Sequence, residues 1–309
     1  MVTGLFTHPA CLFHDNGPGH PESPERLKAI LNELEKRDFA ALQRREAPRA
    51  TVEQIARVHE RGYVERILYR VPQQGYAQLD PDTALSPHSS EAALRAAGAI
   101  VMAIDEVLGE KIVNGFCAVR PPGHHAERTH AMGFCLFNNI AIGAAHALVA
   151  HNLKRIAIVD FDVHHGNGTE EWAKLYPEIL FLSSHQFPFY PGSGLAEDRG
   201  PHGNIVNIPL AAGTDGIAFR HAIENFMVPA IADFTPELIM ISAGFDAHRD
   251  DPLANLRLTE GDFAWITAAL CKLAGQFCRG RIVSTLEGGY DLDALAKSAG
   301  AHVKILMTA

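Results

Sequence analysis

Arg155-Ile-Ala-Ile-Val-Asp160-Phe-Asp162-Val-His164-His165-Gly166-Asn167-Gly168-Thr169 is the stretch whose reading decides the fold. It opens with one basic residue and a run of β-branched and small apolar residues, the composition of a strand buried on both faces of a parallel sheet. It then turns abruptly into carboxylates, imidazoles and glycines. Ligands of open α/β sheets sit beyond the carboxyl ends of strands, and residues two apart on extended backbone point to one side. Asp160, Asp162 and His164 therefore face one way at the mouth of a sheet. A lone Asp-x-His would more often be a polar loop satisfied by its own hydrogen bonds. Matching groups at other predicted strand ends argue for a site instead.

On either side of this stretch strands and helices alternate. Residues 1–9 read as a short edge strand, and Cys11 to Glu22 as a turn-rich loop that cannot be regular structure. Ser23-Pro24-Glu25-Arg26 starts a helix, with Ser at the N-cap and Pro at the first helical position. Arg26, one turn in, is either a surface charge or an inward group supporting the site from behind. Residues 51–70 look helical with a break near Gly62. Residues 71–88 form a long Pro/Gln/Asp-rich loop carrying Asp80 and Asp82. A long Ala-rich helix follows Ser89-Ser90-Glu91 to about Leu108, then a strand at Phe116–Val119 and a helix from Asn138 to about Ala150. Further strands are predicted at Ile179–Ser184, Asn204–Pro209, Glu237–Ser242 and Ile282–Leu286. Residues 215–232, Thr259 to Phe277 and 291–307 read as helices. The pattern predicts one α/β domain over residues 1–309, a mainly parallel central sheet flanked by helices on both faces.

Composition narrows the function classes. The chain has 309 residues, 47% hydrophobic and 20% charged, the balance of a globular domain. Its formal charge of −9 argues against nucleic acid as a partner, which needs a basic footprint. No apolar run is long enough to span a bilayer, and the N-terminus lacks a signal-peptide pattern. The 5 cysteines, odd in number and without metal-like spacing, fit free thiols in a reducing cytoplasm. The 17 histidines lie mostly in loops at predicted strand ends.

Those strand ends carry His124-His125, Asp162-x-His164, Asp246 and Gly288-Gly289-Tyr290. In a parallel sheet they share one edge and can converge. Asp162, His164 and Asp246 would make an Asp₂His site suited to Zn²⁺ with open positions, or to Fe²⁺. Two carboxylates neutralise the dication, so its water is acidified less than in a site of three neutral imidazoles, and a separate base is needed. His124 and His125 supply it. Asp160 and Asn167 are the natural partners that fix their tautomers, one with charge and one without, so the two imidazoles should differ in pKa. Tyr290, after two glycines, offers a phenolic O–H to a developing oxyanion. The aromatic loop Phe187–Tyr190 and the Gly133-Phe134 loop can wall a narrow channel for a slender alkyl chain.

At these residues the chain resembles the histone deacetylase family, within the arginase–deacetylase fold. The resemblance rests on Arg120-Pro-Pro-Gly-His124-His125, Gly133-Phe134-Cys135-x-Phe-Asn-Asn139, Asp160-x-Asp162-x-His164-His-Gly-Asn167, Phe189-Tyr190-Pro-Gly-Ser-Gly, Ser242-Ala-Gly-Phe-Asp246-Ala-His and Glu287-Gly-Gly-Tyr290. His20-Pro21-x-x-Pro24-x-Arg26 also looks like family pattern, and the whole is similar to the class II branch of bacterial deacetylase-like and acetylpolyamine amidohydrolases. The resemblance implies zinc at Asp162, His164 and Asp246, and catalysis by His124, His125 and Tyr290 with Asp160 and Asn167 behind the imidazoles. It implies channel walls at Phe134 and Tyr190, a Gly133 carbonyl holding the substrate N–H, and an acetate channel lined by Arg26. It further implies potassium at Asp160, Asp162, Ser183 and the His164 carbonyl. The family's substrate-gripping acid has its best match in Asp82, with Asp80 the alternative.

The expected function is a zinc-dependent amidohydrolase deacetylating acetyl-lysine or a small acetylated amine, with an acetylpolyamine-specific enzyme as runner-up. In this branch a neighbouring subunit can shape the channel mouth, so a homo-oligomer is one expectation. A di-metal ureohydrolase would need bridging carboxylates where His165 and Asn167 stand. A non-catalytic acyl-lysine binding module would lack Tyr290 or the His pair, and both are present.

Overall fold

The computed structural model describes residues 2–309. The strands are β1 (Thr3–Thr7), β2 (Gln43–Glu46), β3 (Ala77–Asp80), β4 (Thr83–Leu85), β5 (Asn114–Cys117), β6 (Ile156–Asp160), β7 (Ile179–Gln186), β8 (Ile205–Leu210), β9 (Leu238–Ala243) and β10 (Ile282–Leu286). Eight of them form one sheet in the order β2-β1-β5-β10-β9-β6-β7-β8. Every neighbouring pair in it is parallel. β5, β6, β7, β9 and β10 are buried along their whole length, which only helices on both faces can achieve for a parallel sheet. One layer contains the helices Pro24–Leu34, Glu260–Phe277 and Leu292–Thr308, and the other Ser89–Leu108 and Asn139–Ala150. The fold class expected from the sequence is the one observed.

Three local expectations are corrected. β1 is not an edge strand: β2 pairs with it from Gly4↔Gln43 to Thr7↔Glu46 and takes the edge. β2 reads Gln-Arg-Arg-Glu and is only half-buried, so it carries no apolar signal; the unpaired backbone of β1 recruits it. The 71–88 loop contains the antiparallel hairpin β3–β4, with an irregular register between Gln78 and Asp80. β5 begins at Asn114, two residues before the predicted Phe116, and ends at Cys117, two before the predicted Val119.

Register places the site. Asp160 of β6 lies opposite Ser242 of β9 and Ser183 of β7. The residues just beyond these positions therefore rise from one point on the carboxyl edge, near the centre of the sheet.

Candidate metal and catalytic site

Asp162 follows β6 and Asp246 follows β9, its neighbour, so both carboxylates come to one place. His164 Nδ1 lies 3.0 Å from Asp162 Oδ1 and 3.1 Å from Asp246 Oδ2. The three residues are buried, and their donor atoms all fall within 4.8 Å of one another. Backbone amides aim the carboxylates: Gly288 N–H donates to Asp162 Oδ2 at 2.8 Å and Val163 N–H to Asp246 Oδ1 at 2.9 Å. Asp246 Oδ2 is buried without a hydrogen-bond partner. A Cβ at Gly288 would collide with it and approach Asp162 Oδ2 at 2.6 Å. A buried carboxylate oxygen left unpartnered beside an imidazole fits a divalent cation bound by two oxygens and one nitrogen. Burial opposes a charge on His164, but the carboxylates of Asp162 and Asp246 outweigh it and raise its pKa to about 10. A cation taken up there exchanges for that proton.

The two adjacent histidines stand beside this trio, ring centroids 4.0 Å apart. His124 Nδ1 donates to Asp160 Oδ2 at 2.9 Å, and His125 Nδ1 donates to Asn167 Oδ1 at 2.7 Å. The Asn167 amide is itself oriented, donating to Glu127 Oε1 at 2.8 Å. The partners separate the pair electrically. Burial works against a charged His124, yet Asp160, then Asp162, pull its pKa up to about 10. Burial, the His124 charge and His164 push His125 well below the ordinary imidazole value, and the neutral Asn167 cannot offset them.

Tyr290 is held from two sides. Its backbone N–H donates to Asp251 Oδ2 at 2.7 Å. The Arg26 guanidinium sits 4.8 Å from its ring centroid and donates to the Gly289 and Glu287 carbonyls, each at 2.6 Å. Arg26 is therefore turned inward, fully buried. Gly289, at φ +119°, adopts backbone that L-residues avoid, and so swings the tyrosine toward Asp162, His164 and Asp246. Burial raises the phenol's pKa well above its ordinary value, so it stays protonated.

A channel of about 220 Å³ leads to these groups, lined by Phe134, Phe189, Tyr190, Leu253 and Asp82 above His125, His164 and Tyr290. Phe189 stacks on His164 at 5.4 Å and 19°, while the Tyr190 ring meets His125 edge-on at 5.2 Å. Asp82 Oδ1 accepts the Gly133 N–H at 3.1 Å, and Thr83 Oγ1 accepts the Phe134 N–H at 2.9 Å. The β3–β4 hairpin thus holds Gly133 and Phe134 in left-handed backbone, φ +55° and +69°. The Gly133 carbonyl accepts from the Cys135 thiol at 3.2 Å. Asp80 is turned to His130 at 3.1 Å instead of lining the channel. Ser183, expected beside a potassium ion, is buried next to Asp160 and bonded to His185 Nδ1 at 2.9 Å. His165 turns away from the Asp162–His164–Asp246 trio to Glu170 and Ser193, each at 2.8 Å.

A sequence profile described as the histone deacetylase domain matches residues 20–306. The chain belongs to the histone deacetylase family. It is 42% identical over 300 residues to the uncharacterized protein slr0245 of Synechocystis, covering 96% of each chain. A histone deacetylase-like amidohydrolase of Pseudomonas aeruginosa is 37% identical, with 93% of this chain and 81% of the relative covered. The solved HD domain of HDA15 superposes with a TM-score of 0.94 at 35% identity, over 99% of this chain and 88% of that one. The fold is thereby the arginase–deacetylase fold.

Within this family member, three supporting residues escaped the sequence reading. Glu287 Oε2 accepts the N–H groups of Gly123 at 2.7 Å and His124 at 3.1 Å. Asp251 bonds Tyr290 through one oxygen and accepts the Leu253 N–H at 2.9 Å through the other. Glu22 lies between Arg26 and Arg120, all three fully buried. Glu287 and Glu22 sat inside quoted motifs. Asp251 had no local signal, because its partner is a backbone amide 39 residues away.

Proposed function

We propose that the protein is a zinc-dependent amidohydrolase that removes the acetyl group from acetyl-lysine in proteins or from small acetylated amines. Family membership supports a hydrolase acting on acetylated substrates. The observation that carries the finer reading is the convergence of an Asp₂His trio, an electrically split His pair and a protonated tyrosine at the foot of one narrow channel. Asp162, His164 and Asp246 would hold zinc, with Fe²⁺ the alternative. When bound, the metal supplies polarisation of the scissile carbonyl and acidification of the attacking water.

The rest is done by the chain's own residues. His125, neutral and on the channel wall, takes the proton from the attacking water through the ring nitrogen left free by Asn167. It returns that proton to the leaving amine nitrogen. His124, kept charged by Asp160, stabilises the negative charge that develops beside it. Tyr290 donates its phenolic O–H to the developing oxyanion. Phe134, Phe189 and Tyr190 enclose the alkyl chain and exclude water, and the Gly133 carbonyl receives the substrate's amide N–H. Arg26, behind Tyr290, lines the path by which acetate leaves. Asp160, Asp162, Ser183 and the His164 carbonyl form the potassium site. The turning of His165 to Glu170 and Ser193 disfavours a second active-site metal.

A second reading, an acetylpolyamine-specific enzyme, is favoured by Asp82: a carboxylate on the channel lining suits a substrate with a distal ammonium. The five cysteines are free, which suits a reducing compartment such as the cytoplasm. Among the described residues no helix is long and apolar enough to cross a membrane. Some plant relatives carry chloroplastic names.

The test is amine release by zinc-loaded protein from an acetyl-lysine peptide and from N-acetylputrescine, with Tyr290→Phe as control. Cleavage of the peptide with the higher kcat/KM supports protein deacetylation, and preference for the polyamine supports the Asp82 reading. No release from either substrate by protein with zinc bound would overturn the acetyl-amine assignment.

A further inference from the structure

Away from the channel, Asp105, His146 and His151 form a cluster that the catalytic reading leaves unused. Asp105 stands in the last turn of the Ser89–Leu108 helix, while His146 and the C-cap residue His151 belong to the end of the Asn139–Ala150 helix. One carboxylate oxygen, Asp105 Oδ1, accepts from Nε2 of both histidines at 2.7 Å. The imidazole rings are inclined at 71° with centroids 5.7 Å apart, so both nitrogens point to one place from different directions. The three donor atoms lie within 4.8 Å of one another. The Asn139–Ala150 helix begins beside the His pair, where Asn138 bonds the Ala126 carbonyl at 3.3 Å. At 1.5 Å per residue its far end is about 18 Å away.

We propose that Asp105, His146 and His151 form a second metal site, taking a borderline divalent transition-metal ion, Zn²⁺ in the first instance. Ligand chemistry supports it: imidazole with carboxylate suits Zn²⁺, Ni²⁺ and Cu²⁺ and not the hard alkaline-earth ions. Metric fit supports it too. Bonds of about 2.0–2.1 Å place the corners of a tetrahedron about 3.3 Å apart, so the 2.7 Å contacts need only a small opening. Electrostatics adds a third reason. A helix C-terminus disfavours an acid and favours a cation, yet Asp105 occupies one with no basic residue in that last turn. The neighbouring helix also ends here without a base in its last turn.

Arg57 sets the condition for binding. Its Nη1 donates to His146 Nδ1 at 3.0 Å, which keeps the His146 proton on Nε2. A metal on Nε2 moves that N–H to Nδ1, where it would face the Arg57 donor. Arg57 must then withdraw, and it borders a cleft of about 440 Å³, walled by Trp172 and Tyr176, that can receive it. Arg57 therefore competes with the metal.

The experiment is zinc titration of the full chain against a chromogenic chelator, with metal content measured after equilibrium dialysis and deacetylation followed in parallel. Expected are two equivalents of zinc in the wild type and one in both His151→Ala and Asp105→Asn, at unchanged kcat and KM. Arg57→Gln should tighten the weaker equivalent several-fold, and Co²⁺ in that position should show the visible absorption of a nitrogen- and oxygen-ligated ion. Asp246→Ala should remove the other equivalent, so failure of the catalytic reading and of this one are separable. Equal zinc content in wild type, His151→Ala and Asp105→Asn at saturating zinc would overturn the proposal.

Discussion

Replacing Glu22 by glutamine should cost this protein about 3 kcal/mol, from a residue that touches no substrate. Glu22 is fully buried between two fully buried guanidinium groups. Its Oε1 takes Arg120 Nε and Arg26 Nη1, the latter at 3.1 Å, and its Oε2 takes Arg120 Nη2 at 2.7 Å and Asn16 Nδ2 at 3.0 Å. A glutamine side chain would keep the shape and remove the charge, leaving both cations buried without a carboxylate. Breaking a buried pair from one side costs about 3–5 kcal/mol. The ionisation of Glu22 leads to the same size independently. Burial pushes its pKa up, but Arg120 and then Arg26 outweigh this and lower it from 4.5 to about 2. That fall is worth about 3 kcal/mol. The depressed carboxyl stabilises the fold fully above 4.5, and its contribution is lost as pH falls toward 2. Thermal melts at one scan rate should place Glu22→Gln roughly 4–5 °C below wild type at neutral pH. Between about pH 5 and pH 3 the gap should narrow by about 2 kcal/mol, as the unfolded wild-type chain takes up a proton on Glu22 that the folded one does not, and the variant has no such carboxyl. Because Arg26 carries the Gly289 and Glu287 carbonyls behind Tyr290, kcat should fall as well. A variant melting within about 1 °C of wild type at neutral pH would refute the claim that this carboxylate balances the two arginines.

Tyr290→Phe should lower kcat by about 10²–10³, as for one lost oxyanion donor, while metal content measured by mass spectrometry stays at the wild-type level. Asp246→Ala should lose the catalytic metal; retention of full occupancy on dialysis would contradict the ligand assignment. Asp251→Ala frees the Tyr290 amide and should cut kcat about tenfold with KM nearly unchanged, and Asp251→Asn, keeping one acceptor, should recover part of it; equal losses in both would argue that the carboxylate does not position Tyr290. Because His125 is held below the ordinary imidazole range, the acid limb of the kcat/KM profile should lie below about pH 6.5. In Asn167→Asp the added carboxylate raises the pKa of His125 and should move that limb upward by about one pH unit or more, which a pH–rate series would read directly.

What could be read from the chain alone was local. The apolar run of β6 followed by Asp162-x-His164 announces a buried strand with a polar mouth, because strand periodicity and ligand spacing are both short-range properties. Asn167 and Asp160 could be proposed as partners of the His pair by residue type. β2 could not be read, since Gln43-Arg-Arg-Glu46 has no strand pattern and becomes a strand only because β1 leaves an edge for it. Nor could the hairpin that holds Phe134, or the tie between Asp251 and Tyr290, be read, as their partners are distant in the chain. Histidine shows the division most plainly. His302, bonded to Thr267 and Ser284 in the core, is pushed to about 3 by burial. His124 is raised to about 10 by Asp160 and Asp162 despite the same burial. The residue type supplies an imidazole, and only the tertiary structure, by deciding which charges and dipoles surround it, decides whether that ring is core packing, an acid, a base or a metal ligand.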